Sequence, residues 1–456
     1  MSDRNLTSDL DAIFNPRGIA VIGATGDPGK LGHQVTKGFV DIGVCKNIYP
    51  VNPNPRPVLG YEAYPSVAGI PGDVDLAVIV VPPAGVPAAI TDCAAKGVRG
   101  AIIFSSVISE DPALEREVIE TAKRGGTRLI GPDSMGIYSP AGGLALFPDM
   151  PRQSGSVAFV SHSGAIAFMV SMYGTGRGLG FSKVVDCGNE CDLTFADYLE
   201  YLESDPATEI IAGYIEGAKD GGRFLEAARG LSLSKPVILI KSGVTPRSEG
   251  VVASHTGALA GSPAVWDTVF RQAGLVRVEG IDELIDCLLM FRMLPPPAGD
   301  RVALISGTGG PLVMATDLCV RAGLEVPVLS DATAKKLRAF LPPYGTSAWN
   351  PVDLSIAAGV KSELHAQAIE VLGGSDEVDI LLVIAAGEWR GEEAAESIVA
   401  ASRGIGKPLL AVLPGNPART SAPMGKLVAA GIPAFPSLER AVKHLAAFRE
   451  YQRHRE

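Results

Sequence analysis

Residues 254–258 read S-H-T-G-A and residues 161–165 read S-H-S-G-A, so two of the six histidines, His255 and His162, stand in matching phrases. Each phrase follows an apolar run, VVA or VAFV, and leads into small and apolar residues. An imidazole can attack a phosphoryl centre, hold the group as a phosphoramidate and pass it to a second acceptor. A histidine used this way needs a partner that fixes its tautomer and supports its developing positive charge. Glu216 closes the apolar run IIAGYIE, where a carboxylate is placed for that work. The phrases alone allow one reactive histidine, two, or a repeated way of starting a helix.

A second candidate lies near the start. Residues 19–32 read IAVIGATGDPGKLG, which predicts a strand ending at Gly23 and a helix beginning near Leu31. Small residues in such a turn let backbone N–H groups approach a phosphate, and the helix dipole favours the anion. Lys30 adds a mobile positive charge. A nicotinamide dinucleotide is one reading. Against it, the glycines do not follow G-x-G-x-x-G, and the next strand, NIYPVNPNP, has no acidic residue for a ribose hydroxyl. A glycine turn without a ligand is the other reading.

These groups need elements to position them. Apolar, β-branched runs of strand length alternate with segments of helical period, the pattern of α/β domains with parallel sheets. The runs IAVIG, NIYPVN, LAVIVV, GAIIFS and TRLIG form a first set. VAFVS, SKVVDCG, IIAGYIE and PVILIK form a second, and RVALIS, LEVPVL, VDILLVIA, PLLAVL and IPAFP a third. Three doubly wound domains follow, with expected limits 1–148, 149–296 and 297–456. The breaks are FPDMPRQSG at 147–155 and LPPPAGD at 294–300, where three prolines exclude a helix. Ligands of such sheets collect at the carboxyl ends of the strands. The polar turns Val51-Asn52-Pro53, Val81-Pro82-Pro83, Ser105-Ser106 and Gly131–Ser134 all stand there. Residues 241–254 show no strand or helix pattern and are expected to form a loop tethering His255, with Lys241 and Arg247 either near phosphate or simply solvated.

Composition narrows the classes. A net charge of -10 without a long basic run argues against nucleic-acid binding. The start MSDRNLTSDL lacks the pattern of a secretory signal. Pro82, Pro83 and Pro87 cut the longest apolar stretch, which reads as strand, turn and helix rather than a membrane span. Six scattered cysteines, with Cys187 and Cys191 the one close pair, fit reduced thiols, a cytoplasmic location and no metal site.

The order G-A-T with a following Lys, then VNP, VVPP and GPD, over residues 10–140, resembles the CoA-binding domain of the succinyl-CoA synthetase superfamily. The resemblance implies a Rossmann-like domain whose CoA site is formed by Gly23, Thr25, Gly26, Lys30, Val51, Pro53, Val81, Pro82, Ser105, Ser106 and Asp133. That family usually has Asn at 133; a carboxylate there repels phosphate or takes a different hydrogen-bonding role. SHTGALAGS at 254–262 looks like the phosphohistidine motif of NDP-forming acyl-CoA synthetases, and residues 188–206 and 214–224 follow the same pattern. SGTGGPLVMATD and NPVDL resemble the extra flavodoxin-like domain of the ADP-forming acetyl-CoA synthetase branch. The implied fold is α/β, a Rossmann-like domain followed by two flavodoxin-like domains.

The resemblance also divides the two phrases. It makes His255 the phosphate carrier, Glu216 its orienting partner, and Ser161, His162, Ser163, Gly164 and Ala165 a helix-start cradle that receives the carried phosphate. The family has Gln or Arg where this chain has His162. A protonated His162 would bind phosphate, a neutral one would donate an N–H in place of the amide, and a second carrier is the remaining alternative. The implied reaction converts a carboxylic acid, CoA and a nucleoside triphosphate, ATP or GTP, reversibly to acyl-CoA, diphosphate (ADP or GDP) and phosphate. The chain has no G-x-x-x-x-G-K-[ST] loop and no recognisable ATP-grasp module. A separate ATP-grasp β subunit is therefore expected, in an α2β2 heterotetramer, with Mg²⁺ mainly on that partner. A CoA-sensing regulatory protein and a dinucleotide-dependent oxidoreductase are the alternative classes. Tyr138, Phe147, Met169 and Tyr173 either line an acyl pocket or belong to the core, and the SGTGG turn either binds an anion or stabilises the assembly.

Overall fold

A computed structural model describes residues 3–45, 47–255 and 261–455. Strands and helices alternate along the chain. The strands are β1 (Ile19–Ile22), β2 (Ile48–Val51), β3 (Leu76–Ile79), β4 (Gly100–Ile103), β5 (Arg128–Ile130), β6 (Ile137–Tyr138), β7 (Ser154–Ser161) and β8 (Phe181–Asp186). They continue with β9 (Ile210–Ile215), β10 (Val237–Lys241), β11 (Val276–Val278), β12 (Val302–Ser306), β13 (Val352–Asp353), β14 (Ile380–Ile384), β15 (Leu409–Val412) and β16 (Ala434–Phe435).

They build three sheets, ordered β2-β1-β3-β4-β5, β11-β10-β9-β7-β8-β6 and β13-β12-β14-β15-β16. All pairings are parallel except β6 against β8. Most central strands are buried along their whole length, as β1, β3, β8, β12 and β14 show. That is why their sequences run apolar without alternating. Strand order reverses between β1 and β3, between β7 and β9, and between β12 and β14, which opens a crevice at the carboxyl ends of each pair.

The chain forms two compact units, 1–281 and 282–456. In the first, the two sheets share a continuous core that includes Phe14, Ile102, Val160, Phe195 and Trp266. In the second, the Ile281–Met293 helix joins the packing: Arg440 pairs with Asp286, Lys443 with Glu283, and the rings of Phe291 and Phe448 meet edge to face at 5.0 Å.

Two expectations are corrected. LEVPVL forms no strand; Pro327 interrupts it, only Glu325 bridges Arg301, and the partner of β12 is instead β13, from NPVDL. Residues 246–255 are a helix, Pro246–His255, rather than a loop. Thr245 and Ser248 cap its start reciprocally, each backbone N–H donating to the other's hydroxyl, with Pro246 following at the first helical position. Only the strand ends β6 and β11 escape the sequence reading of the second sheet; both have three residues or fewer.

Candidate functional site

The first cluster lies at the crevice between β1 and β3. Gly23 adopts φ +96, and a Cβ there would stand 2.4 Å from the Val80 carbonyl oxygen. A Cβ on Gly32 would stand 2.1 Å from the Gly23 carbonyl oxygen, so the Leu31–Ile42 helix starts pressed against the end of β1. No side chain caps that helix at Lys30, and its first turn carries no acidic residue. Thr25, Gly26 and Lys30 border the opening, half-buried or exposed. Asn52 ties the turn together: its side-chain amide donates to the Ala24 carbonyl at 3.1 Å and its own carbonyl accepts from Asn54 N–H. Beside it lie Val51, at the end of β2, and the exposed Pro53. Val81 and Pro82 follow β3; Ser105 and Ser106 follow β4. His33, buried, faces the Thr25 carbonyl through Nδ1 at 3.2 Å.

Asp133 joins this cluster to the second sheet. It sits at φ +59, a conformation that Asn and Asp tolerate better than other side chains, so Asp meets the backbone demand that Asn would. The turn around it packs on the end of β8. Gly131 N–H donates to the Cys187 carbonyl, Asn189 N–H to the Pro132 carbonyl, and Met135 N–H to Asp186 Oδ2 at 2.6 Å. A Cβ on Gly188 would lie 2.2 Å from the Pro132 carbonyl oxygen. Asn189 also donates to Ser109 Oγ, from the turn that opens with Ser105 and Ser106.

The second cluster fills the crevice between β7 and β9. Ser161 ends β7, and Ser163 is the N-cap of the Gly164–Gly176 helix, its Oγ accepting from Ile166 N–H at 3.4 Å. Ser161 Oγ accepts from Ser163 N–H and donates to the Ser163 carbonyl, which tightens the turn. Among the described residues, no partner meets the N–H of Gly164 or Ala165. These are the anion-seeking donors of a helix start. Gly164 admits no side chain: a Cβ would stand 2.3 Å from Met135 Sδ and 2.6 Å from Asp186 Oδ2.

His162, 5% exposed, spans the two strands. Glu216 N–H donates to its Nδ1 at 3.2 Å, so the ring proton sits on Nε2 and points at Glu190 Oε1, 3.1 Å away. With both nitrogens engaged, the ring acts as a strut between strand ends, and its backbone N–H is taken by the Tyr214 carbonyl. The carboxylate of Glu216, 4% exposed, accepts from Tyr214 hydroxyl at 3.0 Å. Lys241, read as either near phosphate or solvated, is buried, so the solvated reading is corrected. It donates to the Glu216 and Ser242 carbonyls and lies 5.0 Å from the centre of the Trp266 ring, and burial lowers its pKa to about 8. Arg247 is exposed. The Pro246–His255 helix ends at His255, whose side chain lies outside the described residues, as do Thr256–Ala260.

Residues 17–140 match the CoA binding domain family, 154–291 the succinyl-CoA ligase like flavodoxin domain, and 302–456 the ligase-CoA domain. The α subunit of an ADP-forming acetate–CoA ligase II from Pyrococcus furiosus is 40% identical over 413 residues, covering 88% of this chain and 89% of that one. This chain belongs to the ADP-forming acyl-CoA ligase family. An ADP-forming acetate–CoA ligase I from Archaeoglobus fulgidus is 37% identical over 380 residues, which is 82% of this chain but only 54% of that protein. A solved Candidatus Korarchaeum cryptofilum dinucleotide forming acetyl-coenzyme A synthetase 1, in complex with phosphate and ADP, superposes with a TM-score of 0.90 at 31% identity, covering 98% of this chain and 97% of that one.

Two carboxylates escaped the sequence reading. Glu190, at φ +53, accepts from the His162 ring and from Phe195 N–H at 2.6 Å, at the start of the Phe195–Ser204 helix. Asp186, 1% exposed, closes β8, FSKVVD, a strand buried along its whole length. A carboxylate at the carboxyl end of a buried strand was the signal available. Burial lifts the Asp186 pKa to about 7, outweighing the hydrogen bonds from Met135 and Gly188 that favour its charged form.

Asp186 is therefore neutral below about pH 7 and gains its charge above it, beside the start of the Gly164–Gly176 helix. Anion binding at Gly164 and Ala165 is expected to weaken by about tenfold as pH rises through 7. Sulfate, whose charge is constant over that range, is the probe for titration calorimetry. The Asp186→Asn variant should show a flat profile, and an identical slope in both proteins would remove Asp186 as the cause.

Proposed function

We propose that this chain is the α subunit of an NDP-forming acyl-CoA synthetase, in which His255 carries a phosphoryl group and Glu216 orients it. The observation that supports this best is the crevice between β7 and β9. There the open N–H groups of Gly164 and Ala165 stand just past the end of β7, and the paired strand β9 leads into the buried Glu216. In the acyl-forming direction, a carboxylate oxygen of the acid attacks phosphorus on phosphorylated His255; the P–N bond breaks and an acyl phosphate forms. The CoA sulfur then attacks the acyl carbon, the C–O bond to phosphate breaks, and phosphate leaves with the thiol proton passing to solvent or to the leaving group. The N–H groups of Gly164 and Ala165 and the Ser163 hydroxyl meet phosphoryl oxygens at the helix start, in the turn that Ser161 tightens.

For CoA, the first cluster fits an anionic phosphate. Gly23 and Gly32 leave no room for side chains, the Leu31–Ile42 helix start is uncapped, and Lys30 lies beside it. Asn52, whose side chain is turned onto the Ala24 carbonyl, stands where a dinucleotide site would hold an acidic residue. The proposed domain limits are 1–148, 149–296 and 297–456. The Pyrococcus furiosus relative, itself an α subunit, supports a separate partner, an ATP-grasp β subunit binding the nucleotide and Mg²⁺ in an α2β2 cytoplasmic enzyme.

Titration of the purified chain with CoA and with NADH tests the first domain. CoA is expected to bind and NADH not to; tight NADH binding without CoA binding would overturn the reading and favour a redox enzyme. Glu216→Gln should lower phosphorylation of His255 by partner and ATP about a hundredfold, and unchanged phosphorylation would deny Glu216 its role.

A further inference from the structure

The proposed mechanism makes no use of Lys241, whose side chain is buried at the carboxyl end of β10, 4% exposed. Among the described residues its partners are the carbonyls of Glu216 and Ser242 and the face of the Trp266 ring, not a carboxylate. A cation held in this way is costly to bury, and burial lowers its pKa to about 8. An apolar side chain of similar length would pack there without that cost, so the charge calls for a use.

The contacts supply one. Glu216 is gripped through its backbone on both sides: its N–H donates to His162 Nδ1 at 3.2 Å, and its carbonyl accepts from Lys241 Nζ at 2.9 Å. The segment that carries His255 begins and ends on the same group. Ser242, the first residue after β10, gives its carbonyl to Lys241. Gly261, at φ +73, returns against Trp266, where a Cβ would stand 3.1 Å from the indole Nε1. Lys241 Nζ lies 5.0 Å from the centre of that indole, so both stems of residues 242–261 rest on one cation–ring pair. Edge-to-face contacts then run from Trp266 through Phe224 and Phe195 to His162, with centroids 5.6, 5.8 and 5.6 Å apart.

We propose that Lys241 is a positioning residue for phosphoryl transfer at His255: its ammonium, seated on Trp266, fixes the Glu216 backbone against both stems of the His255 segment. This rests on the roles proposed above for His255 and Glu216. Lys241 touches no substrate; it acts through Glu216 and the stems. The grip depends on charge, because a neutral amine loses its attraction to the ring face and donates more weakly to both carbonyls. Glu216 beyond β9 and Glu249 on the Pro246–His255 helix favour the charged form. Arg277 on β11 opposes it and is itself paired with Asp267 and Glu279. The Tyr214 phenol, raised by burial, stays neutral in this range.

The test is the initial rate of His255 labelling by labelled ATP and the partner subunit, without CoA, whose thiol titrates nearby. In the unaltered chain the rate should fall as pH rises through about 8. Lys241→Arg stays charged throughout and should keep labelling with that fall removed. Trp266→Phe, a weaker ring for a cation, should move the fall to lower pH by about half a unit. Lys241→Met fills similar space without charge and should label roughly ten to a hundred times more slowly, with CoA binding unchanged. If Lys241→Met does not unfold cooperatively, the Trp266→Phe profile decides. An unaltered rate in Lys241→Met, a fall that persists in Lys241→Arg, or a Trp266→Phe profile that superposes on the unaltered one would each overturn the inference. Label on His255 in the unaltered chain together with any of these sinks the Lys241 assignment alone. Absence of that label sinks the ligase reading, and the role of Lys241 with it.

Discussion

His255→Ala is expected to reduce turnover to background and to leave the chain unlabelled when it is incubated with labelled ATP and the partner subunit. The reason is chemical. No other group in the chain would replace the bond that the reaction makes to phosphorus, so the loss should resemble that of a covalent nucleophile, several orders of magnitude, rather than that of a positioning group. The label on the unaltered chain should be acid-labile and base-stable, as a phosphoramidate is. CoA binding should survive, because Gly23, Gly32 and Lys30 stand at a different crevice, between β1 and β3. Retained turnover in the variant would refute the carrier role. A label that persists would move the chemistry to another residue.

Much of this architecture was legible because parallel strands buried on both faces leave an uninterrupted apolar record. All five runs of the first set became β1 to β5, and Glu216 and the S-H-S-G-A turn fell at strand ends as read. The misreadings have local causes. LEVPVL has strand composition, but Pro327 cannot donate to a ladder and the edge position went to two residues of NPVDL. The stretch before His255 looked structureless because its helix is weakly amphipathic, yet the start signal T-P-R-S was present in it. Tyr138, Phe147, Met169 and Tyr173, weighed as an acyl pocket, do not share one environment. Tyr138 is buried with its hydroxyl on the Pro151 carbonyl, Phe147 meets Phe168 edge to face, and Met169 and Tyr173 are exposed on the Gly164–Gly176 helix. Asp186 and Glu190 were hidden for another reason: their importance lies in contacts with Met135 and His162, distant in sequence, that no local pattern records.

His162 is where sequence and geometry differ most in what they ask of a residue, and its substitutions separate two demands. The ring donates from Nε2 to Glu190 and accepts at Nδ1 from the backbone of Glu216. A glutamine has the same pair of functions, an N–H donor and a carbonyl acceptor on one planar group. His162→Gln is therefore expected to keep activity within about tenfold and to fold normally. Leucine fills similar space but satisfies neither partner. It leaves the Glu216 backbone N–H without its acceptor, at a cost of about 1–3 kcal/mol, and leaves the Glu190 carboxylate with only the Phe195 N–H. His162→Leu should thus lower the unfolding midpoint and reduce kcat far more than the KM for CoA, since the strand end holding Glu216 loses its strut while the first crevice is untouched. The two variants together are decisive. If Leu matches Gln in rate, His162 is merely packing; if Gln abolishes labelling while His255→Ala does not, the imidazole at 162 is itself the carrier and the roles of the two phrases are exchanged.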